Sequence, residues 1–192
     1  MFFLNKFGIV SSSLFFSSDI MANHTLNDVD RIICDVLQKN GRAHFNELAE
    51  IVHLSVPAVS ERVRKLEERG VIKGYCAKLH PEAFGLNIAA FILVTVEGSH
   101  NYKKFLDHCG KEPEIMECHA VTGDASHLIK VRTSSPGSLE QLLSRIQEWS
   151  GVKKTLTNII LSTHHESLSI DTGASHSHAA GTVANGKQKQ SQ

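Results

Sequence analysis

Leu54-Ser55-Val56-Pro57-Ala58-Val59-Ser60-Glu61-Arg62-Val63-Arg64-Lys65-Leu66-Glu67-Glu68-Arg69-Gly70-Val71-Ile72 is the stretch that decides how this chain is read. With Val59 at zero and 100° per residue, Val63 and Leu66 fall within about 40° of it, whereas Pro57, Ser60, Glu61, Arg64 and Glu68 point away. One face belongs to a core and the other is free. Ser55 is placed to cap the helix, Pro57 suits the first turn where no amide donor is lost, and Gly70 ends it after Arg69.

The free face has the chemistry of base and phosphate recognition. Arg64 has a fork that fits a guanine edge, Glu61 can accept from a cytosine amine, and Ser60 serves a base or a phosphate. Arg62 lies on the flank and is expected to face phosphates, with Ser55, Pro57 and Lys65 beside it. The same charges also read as a solvated helix, since Glu61, Glu67 and Glu68 are spaced to pair with Lys65, Arg64 and Arg69.

The flanking sequence favours recognition. Asn27 begins a helical stripe of Val29, Ile32, Ile33, Val36 and Leu37 that ends at Asn40-Gly41, and a shorter helix is expected from about Phe45 to Val52. Three helices with a tight second turn make a helix-turn-helix unit. Val71 to Leu79 reads as a small hairpin, a wing that sets Lys73 and Lys78 against phosphates. Six basic residues (Arg62, Arg64, Lys65, Arg69, Lys73, Lys78) face only Glu61, Glu67 and Glu68 between Ser55 and Leu79, a local excess of three positive charges in a chain of net charge zero. Basic surface is therefore local, which excludes a protein that coats polyanions uniformly.

Residues 1–21 are an apolar, Phe-rich and Ser-rich extension with no convincing cleavage site, read as disordered or as an upstream start before Met21. Residues 171–192, rich in Gly, Ala, Ser, His and Gln, are expected to be a disordered tail. Cys34, Cys76, Cys109 and Cys118 form no CxxC pair and suit reduced thiols in a cytoplasmic protein without a membrane partner.

Residues 22–80 thus form a DNA-binding unit, and residues 81–170 a second one. Strands are expected at Ile88–Val96, Ile115–Val121, Leu128–Thr133 and Val152–Ser162, with helices at Tyr102–His108 and Ser138–Trp149. The order βαββαβ is that of a ferredoxin-like sheet with both helices on one face, so the chain is α+β. The other face stays open to a partner.

Leu26 to Leu37, Glu47-Leu48-Ala49, Leu54-Ser55, Arg62-Val63-Arg64-Lys65-Leu66-Glu67, Gly70-Val71-Ile72 and Glu117-Cys118-His119-Ala120-Val121-Thr122-Gly123-Asp124, in this order, resemble the Lrp/AsnC family of feast/famine transcription regulators. The resemblance spans about Leu26 to Ser167. It implies a transcription regulator that is not an enzyme and needs no cofactor. It also implies dimers joined through the open sheet faces, assembled up to octamers, and an amino acid or related small effector held between dimers. The family's Gly-Asp element matches Gly123-Asp124, a tight turn whose amides can hold a carboxylate while Asp124 faces an ammonium. Ser126 stands where many members carry a second acid, and His127 where an aromatic or aliphatic residue is usual.

Other readings stay open at this stage. Gly123-Asp124 reads equally as the plain turn between two strands. Cys118-His119, His127, His164-His165 and His176-Ser177-His178 hold ligand chemistry without a ligand spacing, so no metal is assigned. Sirohaem decarboxylases resemble the same two-domain layout and supply the enzyme alternative, although they have no use for a face such as Ser60, Glu61 and Arg64. A stand-alone sensing module with a vestigial helix-turn-helix is the third reading.

Overall fold

The structure is a computed structural model, and it describes residues 26–174. The expectations for residues 1–20 and for the tail from 175 onward lie outside the described residues. Two compact units are present: 26–75 together with 168–174, and Cys76–Ser167. The first division therefore falls five residues before the expected boundary at 80.

In the first unit, α1 spans Asp28–Lys39, α2 Phe45–Val52 and α3 Val56–Glu68. The side chain of Asn27 accepts from the Asp30 amide at 2.8 Å and so caps α1. The turn into α3 is closed by His53, held in the left-handed region at φ 53°, with the Leu54 amide donating to Ala49. Ser55 occupies the N-cap of α3, but its side chain makes no capping bond. The expected cap is thus positional only, and Pro57 in the first turn removes one orphan donor instead. Ile33, Leu37, Leu48, Ala49, Val52, Val59, Val63 and Leu66 close the core of this unit.

The expected hairpin at 71–79 is absent: the segment bends at Val71-Ile72 and carries no strand. Among the described residues of this unit there is no strand for it to pair with. Tyr75 is instead tied back to α3, its hydroxyl donating to Glu67 Oε1 at 2.9 Å. Burial and the Glu67 carboxylate push the Tyr75 phenol up to about 12, so it stays a donor at neutral pH. Lys78 lies in the second unit and reaches Glu166 at 3.6 Å, which removes it from the wing.

The second unit runs β1 (Ile88–Val96), α4 (Tyr102–Cys109), β2 (Ile115–Ala120), β3 (His127–Thr133), α5 (Pro136–Gln147) and β4 (Val152–Ile159). The strands form one antiparallel sheet in the order β2-β3-β1-β4. Helix α5 begins earlier than its apolar stripe suggests because Ser135 and Ser138 form a reciprocal capping box ahead of it. Ala90, Ile92, Val94, Val96, Ile129 and Val131 pack beneath Phe105, Cys109, Leu139, Leu142 and Ile146, which places both helices on one face. On the opposite face the register sets Phe91 across from Lys130, and Leu93 between Leu128 and Leu156. Among the described residues no helix packs on that face, and Leu156 is 51% exposed.

Arg62 does not face solvent as a phosphate contact. Its Nη1 donates to Asp30 Oδ1 at 2.8 Å, joining α3 to α1, and Asp30 is buried. Removing the guanidinium strands a desolvated carboxylate, a loss of about 1 to 3 kcal/mol once partial exposure of the arginine is allowed for. Arg62→Ala should therefore lower stability by that amount in urea denaturation. Adding Asp30→Asn should recover part of it. Full stability in the single variant would show that the pair holds nothing together.

Candidate functional site

The exposed side of α3 is a compact ion-pair array. Arg64 donates from Nε to Glu61 Oε2 at 2.8 Å and from Nη2 to Glu61 Oε1 at 2.6 Å. Its Nη1 also donates to Glu68. Lys65 reaches the same Glu61 at 3.4 Å. The Arg64 hydrogen bonds, with the two cations close by, hold the Glu61 carboxyl down to about 2. The Arg64 guanidinium is pushed up, first by Glu61.

The two carboxylates and two cations of this array largely cancel. A contact from Arg64 to a base must exchange its bonds to Glu61 and Glu68, so the free helix is not a bare basic surface. Pro57 and Lys73 are exposed, Ser55 sits at the amide end of α3, and Ser60 is half-buried. Of the residues singled out on the sequence, Ser55, Pro57, Ser60, Glu61, Arg64 and Lys65 share one helix, Lys73 lies on the segment beyond it, and Arg62 is taken by Asp30.

The turn at 121–126 is built from β1. The Ser126 amide donates to Val94 O at 3.1 Å, and the Val121 amide donates to Ser126 O at 3.0 Å. The Ser126 hydroxyl accepts from the Val96 amide at 2.9 Å and donates to Val94 O at 3.1 Å. His127 Nδ1 lies 2.9 Å from the same oxygen. A hydroxyl has one donor and two acceptor sites, so a His127 Nδ1–H donor completes its capacity. Ser126 therefore anchors the loop, and its hydroxyl is not left over for a ligand.

His127 is buried, with its ring 4.9 Å from Tyr102 and 4.7 Å from Phe105, and burial lowers its pKa. It is the floor of the loop rather than a ligand. A histidine next to a serine gave no signal of this in the sequence; only the alternation of β3, which continues to His127, marked the inward side. Gly123 adopts φ 111°, which an L side chain rarely takes. Asp124 is exposed, and Thr95 Oγ1 donates to its main-chain oxygen at 3.3 Å. Cys118 packs into the core while His119 pairs with Glu117 at 3.2 Å on the other face, so these neighbours do not converge on one point.

Two family models match along the chain: a winged helix-turn-helix DNA-binding model over residues 26–73 and the Lrp/AsnC ligand binding domain over residues 89–170. The chain belongs to the Lrp/AsnC family. It is 37% identical over 145 residues to the HTH-type transcriptional regulator FL11 of Pyrococcus furiosus, an alignment covering 76% of this chain and 95% of that protein. The HTH-type transcriptional regulator LrpA of Mycobacterium tuberculosis is 40% identical over 74% of this chain and 95% of its own length. A transcriptional regulator of Neisseria meningitidis solved in complex with L-methionine superposes with a TM-score of 0.72 and 30% identity, covering 76% of this chain and 96% of that one. The chain is a DNA-binding transcription regulator and not an enzyme. Among the described residues no helix is long and apolar enough to cross a membrane.

The construction of the loop generates a stability test. Ser126→Ala leaves the Val96 amide without its partner beside a buried histidine, a loss of about 1 to 3 kcal/mol. Thermal denaturation should show that loss. Wild-type stability in the alanine variant would remove the hydroxyl from the frame of the loop.

Proposed function

We propose that the chain reads double-stranded DNA with the exposed side of α3 and responds to an amino acid held at the 121–126 turn. The observation that carries this reading is the exposed array of Glu61, Arg64 and Lys65 on the recognition helix of a family member. Arg64, with Ser60 and Glu61, reads base edges, while Ser55, Pro57, Lys65 and Lys73 position the helix on phosphates. Two such units in a dimer read half-sites about one helical turn apart. The protein acts in the cytoplasm, where its DNA lies.

The dimer forms through the open face of the sheet. Phe91, Leu93, Leu128 and Leu156 supply the apolar area, and Lys130, which bonds Glu117 at 3.1 Å and Glu166 at 2.9 Å, supplies a charged border. Assembly to an octamer follows the resemblance. For the effector, the methionine complex of the Neisseria relative supports an α-amino acid. Its ammonium is matched by Asp124 and its carboxylate by amides about Gly123. Ser126 is left out of this contact because its hydroxyl is committed to Val94 and Val96.

DNA measurements test the first half. Arg64→Ala should cost about 1 to 3 kcal/mol on a matched duplex and much less on a scrambled one. Equal losses on both would take Arg64 out of base reading.

Thermal shift with single amino acids tests the second half. A stabilising amino acid should lose its effect in Asp124→Ala, while DNA binding without ligand stays near wild type. Undiminished stabilisation in the variant would exclude Asp124 as a contact.

A further inference from the structure

Beyond β4 the chain returns to the first unit, and residues 168–174 lie along α1. Gln38 grips one residue of this segment twice. Its Nε2 donates to Ile170 O at 2.9 Å, and its Oε1 accepts from the Ile170 amide at 3.0 Å. Two turns earlier on the helix, Arg31 Nη1 donates to Thr172 O at 2.5 Å while its Nε holds Leu26 O at 3.2 Å. A turn lies over that guanidinium: the Gly173 amide donates to Asp171 Oδ1 at 2.8 Å, and Gly173 sits at φ +63°, where a Cβ would lie 3.2 Å from Arg31 Nη1.

The apolar side chains of the strap contribute little to this seat. Leu168 and Ile170 are each 75% exposed, so recognition is of the main chain, as when an extended peptide adds to a sheet edge. A carboxamide presents donor and acceptor side by side, which matches the amide and carbonyl of one extended residue. Below the segment is a cavity of about 340 Å3 bounded by Cys34, Leu37, Ile72, Tyr75 and Ile170.

We propose that the outer face of α1, through Arg31 and Gln38, is a main-chain-reading surface whose ligand is the chain's own 168–172 strap. A few hydrogen bonds suffice because the strap is covalently attached, at an effective concentration on the order of millimolar. Substituting either partner in the full chain releases the strap and exposes the pocket, already partly open, further to solvent.

Cys34, half-buried on the cavity wall, reports this directly. In the full-length protein, Gln38→Ala and Ile170→Pro should each raise the rate of Cys34 alkylation by iodoacetamide several-fold, resolved from the other thiols by peptide mass spectrometry. Gln38 lies one turn from Cys34, so its removal alone thins the cover over the thiol. Ile170→Pro leaves α1 and Gln38 intact and removes the strap amide together with the Ile170 side chain, so a faster Cys34 in that variant comes from the strap and not from loss of the Gln38 cover. In Gln38→Ala the Ile170 amide should also lose its protection from hydrogen exchange. A Cys34 rate in Ile170→Pro equal to that of the wild type, or an Ile170 amide equally protected without Gln38, overturns the proposal. Helical circular dichroism unchanged in both variants keeps the result from being an unfolding artefact, and a loss of helix in Ile170→Pro overturns the strap as a removable ligand.

Discussion

Strand β1 is hydrogen-bonded along both edges, and most of the second unit follows from that. With β3 on one side and β4 on the other, its residues have only the two sheet faces to point to. Ala90, Ile92, Val94 and Val96 pack under α4 and α5; Phe91 and Leu93 are left on the uncovered side. The same strand sets the 121–126 turn, since Val94 and Val96 provide the main-chain groups that Ser126 bonds. A shift of one residue in register would turn Val94 away from the helices and detach the turn. The open apolar face and the fixed loop are thus two consequences of one pairing.

In the first unit the governing constraint is electrostatic. A helix that reads DNA must carry cations, yet the five on α3 and its exit, Arg62, Arg64, Lys65, Arg69 and Lys73, would repel one another without compensation. Here Glu61 and Glu68 hold Arg64, Asp30 holds Arg62, and Glu67 receives Tyr75. The pairing keeps the free helix soluble and orders Arg64 in a fork. It also makes binding an exchange, because a phosphate or base must replace carboxylates already in place. Sequence selectivity gains from this: a wrong base offers less in return for the pairs that are opened.

The periodic parts of this molecule were legible from residue spacing. Phe45–Val52 and Ile88–Val96 stand where their apolar patterns placed them, because burial of a stripe or a face dominates their energetics. What escaped depends on partners distant in sequence. Arg62 was assigned to phosphates because nothing in α3 reveals Asp30, which is 32 residues away. Ser126 looked like a remnant of a ligand set because its true partners, Val94 and Val96, belong to another strand. The hairpin at 71–79 failed for the converse reason: a strand-like pattern forms no strand without a neighbour to pair with. Likewise, the tail expected from 171 begins with residues bonded to α1, an attachment carried by main-chain atoms that composition does not encode.

The separation of the two sites limits how they communicate. The 121–126 turn belongs to one compact unit and α3 to the other. A ligand at the turn alters DNA affinity only by the difference in free energy with which it binds two states of the protein. Local candidates for such a difference are poor, because Ser126 and Thr95 bond the turn to β1 and His127 bonds Ser126 in turn. A rigid loop transmits little by bending. It is well suited, however, to present Asp124 at a fixed place on the outside of the fold, where a ligand bridging two copies would gain a second set of contacts. On the proposed reading, coupling through assembly is favoured on physical grounds: the turn would fix the geometry of one half of such a bridge, and the response in DNA binding would come from the number and spacing of recognition helices brought together.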